Sequence, residues 1–122
     1  MKKIIFSAAV IIIVAASCKT TKKTETTVVA EAPVDCASVS SVFSTDIKPI
    51  FEKHCVSCHS DGGRGGYDFT LMEDIVRGAK NGDILGAIKW KEGFRKMPAR
   101  AGKLDNATIS KIECWINNGM KP

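Results

Sequence analysis

The sequence lacks most of the features that would commit it to nucleic acid, to nucleotides or to a membrane span. Its 18 basic residues outnumber its 13 acidic ones and give a net charge of +5. No basic run with interleaved aromatics goes with that excess, so the pattern of a nucleic-acid surface is missing. The glycine-rich stretch Ser60-Asp61-Gly62-Gly63-Arg64-Gly65-Gly66 is not followed by Gly-Lys-Ser/Thr, which excludes a phosphate loop. There is no internal repeat and no convincing run of alternating strand residues. The apolar run from Ile4 to Ala16, broken only by Ser7, falls short of the roughly 20 residues that a spanning helix needs.

That run reads instead as part of an export signal. Lys2 and Lys3 precede it and small residues follow it, so residues 1–17 are expected to be a signal peptide. The end, Ala15-Ala16-Ser17-Cys18, resembles a bacterial lipobox, although Ala15 stands where the pattern prefers leucine. Cleavage before Cys18 and lipidation of Cys18 are therefore expected; the alternative is an ordinary cleaved signal. Loss of Lys2 and Lys3 leaves a net charge of +3, better read as a solvated surface with weak docking to an acidic partner. Residues 18–35 are rich in threonine and lysine, their charges cancel, and they read as a flexible tether spanning roughly 20–25 Å. Val28-Val29-Ala30 is the single strand candidate within it. The expected product is an exported chain, lipid-anchored to a membrane and facing the periplasm or cell surface. Its folded domain is residues 36–122, small enough that a covalent cofactor would support a modest core.

There are five cysteines: Cys18, Cys36, Cys55, Cys58 and Cys114. Cys55-Val56-Ser57-Cys58-His59 reads as a covalent attachment site for one c-type haem. Each thiol can add across one haem vinyl group, and His59 beside them can place a ring nitrogen on the iron. A thioredoxin-like dithiol would need a strand before the pair, whereas a helical pattern precedes it here and a glycine loop follows. A structural zinc site would need a fourth ligand. His54 is adjacent to Cys55 and poorly placed, though Cys36 and Cys114 are available. With one cysteine for lipid and two for haem, Cys36 and Cys114 remain. Export favours oxidation, so these two are expected to form a disulfide, worth roughly 4 kcal/mol by closing a long loop.

The spacing predicts helices throughout. Ser44 or Thr45 is expected to cap one over about 46–55, with Ile47, Ile50, Phe51 and Cys55 on one face. Thr70-Leu71-Met72-Glu73 matches a capping box, and Gly78 is expected to end that helix. Asn81 or Asp83 opens a third helix, which carries Ile84, Leu85 and Ile88 to about Trp90. Residues 91–103 read as an irregular loop. Asp105 caps a last helix over about 106–117, with Ile109, Ile112 and Ile116 as its apolar stripe and Gly119 as its stop.

A second axial ligand is expected from a methionine. Met97 is the best candidate, on the Lys96-Met97-Pro98 loop where Pro98 restrains its backbone. Met72 lies in a helix and reads as core, Met120 lies in the tail, and His54 reads as surface.

Val42-Phe43-Ser44, Asp46 through Phe51, Cys55 through His59, Met97-Pro98, Leu104, Trp115-Ile116 and Gly119 together resemble the class I c-type cytochrome family, in particular its small exported monohaem domains. One departure is the single proline after Met97, where many relatives have two. The resemblance spans about residues 42–120. It implies an all-α, cytochrome c-like fold of about four helices round one covalent haem. The N- and C-terminal helices would cross, and the iron would be held by His59 and Met97. Trp115 is expected as a core anchor of the last helix, with donation of its N–H to a haem propionate as the alternative. Tyr67 and Phe69 are expected to flank the haem, and Arg64, Arg95 and Arg100 are candidates to pair with propionates. The expected function is electron transfer between redox partner proteins by a monomeric domain, not enzymatic catalysis. The alternative is a haem enzyme, or a gas or peroxide sensor, with an open or labile sixth site.

Overall fold

The structure is a computed structural model, and it describes residues 33–62 and 64–122. The expected signal peptide, the lipidation site Cys18, the strand candidate Val28–Ala30 and most of the tether lie outside the described residues. Among the described residues the fold is all-α. A π turn, Phe43–Ile47, leads into α1 (Lys48–His54); α2 (Met72–Lys80), α3 (Asp83–Ile88) and α4 (Asn106–Asn117) follow. None of these helices is long and apolar enough to cross a membrane.

The first helix starts differently from the sequence expectation. Neither Ser44 nor Thr45 caps it. The chain enters through the π turn, where the amides of both Asp46 and Ile47 donate to the Val42 carbonyl at 2.8 and 3.2 Å. The Asp46 carboxylate supplies the capping chemistry by reaching back. It accepts from the Val42 N–H at 3.1 Å and the Ser40 hydroxyl at 2.7 Å. Those bonds and the Lys111 ammonium at 3.0 Å hold the carboxyl down to a pKa of about 2. Pro49, which lacks an N–H, sits in the first turn of α1, where no donor is needed.

The capping box before α2 does not form. The Thr70 hydroxyl is taken by Asp68, and Leu71 stands at the N-cap with no side-chain bond. Asp74 instead reaches back from inside the helix to accept the Asp68 N–H at 2.7 Å. Gly78 does not end the helix. It lies inside α2, buried, where an added Cβ would stand 3.2 Å from Ile84 and 3.3 Å from Tyr67. Its role is close approach of α2 to α3, and the chain turns afterwards at Asn81-Gly82. The last helix follows its pattern. The Asp105 side chain accepts the Thr108 N–H at 2.8 Å. Ile109 and Ile112 are buried, Ile116 is half-buried, and Gly119 follows the helix in a left-handed conformation.

Packing runs from α2 to α3, from α3 to α4, and from α4 back to the π turn. Ile47, Phe51, Ile75, Ile84, Ile88, Leu104, Ile109, Ile112 and Trp115 form one core. Fully burying a side chain of this size stabilises by about 1.5–3 kcal/mol. Two ion pairs brace α4 from the side, Lys111 to Asp46 and the largely buried Lys89 to Glu113 at 2.7 Å. Cys36 and Cys114 are joined by a disulfide, with an S–S distance of 2.10 Å and a Cα–Cα distance of 5.2 Å. It fastens the start of the described chain to α4, at a fully buried cysteine of that helix.

At this end Trp115 takes its expected core place, and Met120, expected in the tail, packs instead. Trp115 is 1% exposed and packs on Phe43, at 5.5 Å between ring centroids. Its N–H is already spent on the Lys121 carbonyl at 2.9 Å. It is a core anchor and not a donor for a propionate. Met120 is not frayed: it packs against the core, and its amide donates to the Trp115 carbonyl at 2.9 Å.

Candidate haem crevice

The sequence Cys55–His59 winds just past α1 as a tight turn. The Cys55 N–H donates to the Phe51 carbonyl at 2.9 Å, and the Cys58 and His59 amides fold back on the Cys55 carbonyl at 3.1 and 3.0 Å. Two thiols and an imidazole are thereby carried on one turn and brought to one hollow. Cys55 and Cys58 are free thiols, the first half-buried and the second exposed. Burial pushes the Cys55 thiol up to about 12.

His59 is the most constrained of the three. Its carbonyl accepts the Phe69 N–H at 2.8 Å. Its ring lies 4.8 Å from the Phe69 ring, which meets Phe51 edge-on at 5.3 Å and stacks on Tyr67 at 5.7 Å. The Tyr67 hydroxyl donates to Asp83, a bond to a carboxylate that raises the phenol's pKa. Tyr67 and Phe69 thus form a row of ring contacts running from the imidazole toward α3.

Two adjoining cavities, of about 420 and 270 Å³, share His59, Gly65, Arg95 and Met97 in their walls. The larger is also lined by Cys55, Cys58, Arg64 and Arg100, and the smaller by Phe69, Ile84, Ile88 and Phe94. One end is therefore basic and thiol-lined, and the other apolar. His54, expected to be a half-exposed helix residue, is half-exposed and lines the larger cavity. Met72 lines neither of the two; it packs against the core from the first turn of α2.

Met97 reaches these walls from the loop after α3, and its peptide bond to Pro98 is cis. Its amide donates to the Ala87 carbonyl at 3.1 Å, and its carbonyl accepts the Trp90 indole N–H at 2.9 Å. Sequence reasoning used Trp90 only as a helix terminus. It missed Phe94 as well, whose ring covers Gly86 so closely that a Cβ there would lie 2.4 Å from it. A buried glycine within α3, followed eight residues later by an aromatic, was the only available signal.

The donor set fits haem. The His59 Nδ1 atom is buried without a hydrogen-bond partner. A polar atom left so in a finished fold marks a ring held for something other than protein. Imidazole and thioether are both iron ligands, and the two share a cavity wall here.

These features define a c-type cytochrome domain. A family model described as cytochrome c oxidase, cbb3-type, subunit III matches residues 44–116, and the chain belongs to that family. No curated protein and no solved structure matches the chain. A domain of this class transfers electrons by haem.

Proposed function

We propose that residues 36–122 form a monohaem electron carrier, with haem c attached through Cys55 and Cys58 and its iron held between His59 and Met97. The observation that carries this reading is the shared cavity wall, where the Cys55–His59 turn and Met97 come together from distant parts of the chain. Bound there, haem c supplies one-electron exchange between ferric and ferrous iron. The protein's own residues do the rest. Cys55 and Cys58 fix the group covalently. Phe69, backed by Phe51, would hold the imidazole plane, and the backbone bonds of Met97 would hold its thioether at the same cavity as His59. Ile84, Ile88 and Phe94 keep water from the inner end, and Arg64, Arg95 and Arg100 offer charge to the two propionates.

The wider setting belongs to the same proposal. Residues 1–17 direct export, Cys18 carries lipid, and residues 18–35 tether the domain at the periplasmic or cell-surface face of a membrane. The matching family is named for an oxidase subunit. Within such an assembly this domain would relay electrons between protein partners. Both proposed ligands lie on the crevice, which favours a filled coordination sphere over the open site of an enzyme or sensor.

Acidified-acetone extraction tests the attachment. Haem should stay with the wild-type chain and add the mass of one haem to it. It should pass into the solvent from the Cys55→Ser/Cys58→Ser variant. Extraction of haem from the wild-type protein would contradict the reading.

A further inference from the structure

We propose that Trp90 is a positioning residue for Met97, tying the methionine loop to the end of α3 so that the thioether stays at the iron. This role rests on the His59/Met97 ligation proposed above.

Trp90 follows the C-cap of α3, Lys89, with φ at +60°. This is the left-handed region where glycine is the easy choice and a bulky residue is strained. Such strain persists where the side chain has a task. The task is visible here. The indole N–H reaches seven residues along the chain to the Met97 carbonyl at 2.9 Å. The Met97 amide is bound to the Ala87 carbonyl at 3.1 Å. Both backbone polar groups of Met97 are thus fastened at the C-terminal end of α3, and its side chain lines the crevice.

Phe94, whose ring covers Gly86, is the main apolar anchor of the loop. Residues 91–96 are otherwise exposed, so apolar burial contributes little along the rest of them. The Lys91 N–H bond to Gly86 at 2.9 Å fixes the beginning of the loop, not its end. The Lys96 ammonium lies 5.2 Å from the Trp90 ring centroid, which draws the residue just before Met97 onto the same indole. A neutral thioether competes with outside ligands only as well as the chain presents it, and a preordered backbone raises its occupancy without any new bond to the iron. Glycine at position 90 would relieve the strain and lose the clamp. A tryptophan here trades backbone comfort for a held ligand.

The test uses the haem-loaded protein in four forms: wild type, Trp90→Phe, Trp90→Gly and Met97→Ala. The readouts are the methionine–iron charge-transfer band of the ferric state, carbon monoxide binding to the ferrous state, and thermal unfolding. Trp90→Phe should keep its haem but raise the open fraction of the sixth site roughly fivefold, the equivalent of one ordinary hydrogen bond, with a weaker band. Trp90→Gly should loosen the ligand likewise while its unfolding temperature falls less than that of Trp90→Phe, because its backbone suits the position. This second variant carries the test if Trp90→Phe does not fold. A wild-type band and wild-type carbon monoxide affinity in the Trp90 variants would overturn the positioning role alone. A wild-type protein indistinguishable from Met97→Ala would overturn both the role and the ligation.

Discussion

The two sides of the crevice are built by different means. On the His59 side the turn grows directly out of α1, whose Phe51 is in the core, and the imidazole packs at a tilt against a chain of aromatic rings. That side leads back to the π turn, to α4 and to the disulfide. On the Met97 side the loop is exposed, and it is fastened by a few hydrogen bonds and by one phenylalanine that is still 40% exposed. Packing holds the first proposed ligand and polar contacts hold the second. The core side should therefore govern stability, and the loop side should govern potential and access to the iron. A perturbation should move one property and spare the other.

The largest stability effect should come from the side remote from the cavities. Replacing the disulfide by Cys36→Ala/Cys114→Ala should cost about 4 kcal/mol. For a domain of this size that is about 15–30 °C in melting temperature. The visible spectrum should not change, because neither cysteine lines the crevice. A spectral change equal to that of a ligand variant would break the division. Next comes Phe69→Ala, which removes the ring packed against His59 and part of the cavity wall. It should cost about 3 kcal/mol while the haem stays covalently attached, read from thermal unfolding beside a denaturing haem stain. Gly86→Ala should do the reverse. Its new methyl group would push Phe94 off α3, costing only about 1 kcal/mol but opening the inner cavity to carbon monoxide in a ligand-binding assay.

The smallest effect concerns acid. Asp46 is held down to about 2 by Ser40, Lys111 and the Val42 amide. Its charged form therefore stabilises the fold fully above the ordinary carboxylate value of 3.8, and this contribution fades as pH falls from there toward 2. Asp46→Asn should flatten that part of the stability profile, measured by urea unfolding across the acid range, and lie below wild type near neutrality, the two converging only toward pH 2.

The same division explains what could be read in the sequence. Local signals were legible: α4 with its Asp105 cap and isoleucine stripe, the core face of Ile47 and Phe51, and the Cys55–His59 turn. Signals that depend on a distant partner were not. Thr70 looks like a cap until Asp68 takes its hydroxyl, and Gly78 looks like a stop until Tyr67 and Ile84 pack against it. Ser44 and Thr45 look like caps for the first helix, but the carboxylate that takes that part is Asp46, whose bonds to Ser40 and Lys111 require the fold. Trp115 offers an N–H that only the returning tail, through Lys121, can claim. Trp90 shows the same limit: its spacing to Met97 carries no recognisable pattern, and its role comes from the bend of the chain between them.

The central claim is that Met97 completes the iron site begun by Cys55–His59. A potentiometric titration followed by visible spectra, on wild type and Met97→Ala side by side, tests it most directly. The variant should lose the methionine charge-transfer band, and its potential should fall by on the order of 100 mV, because a soft thioether favours the ferrous state. An unchanged potential and spectrum in Met97→Ala would contradict the account.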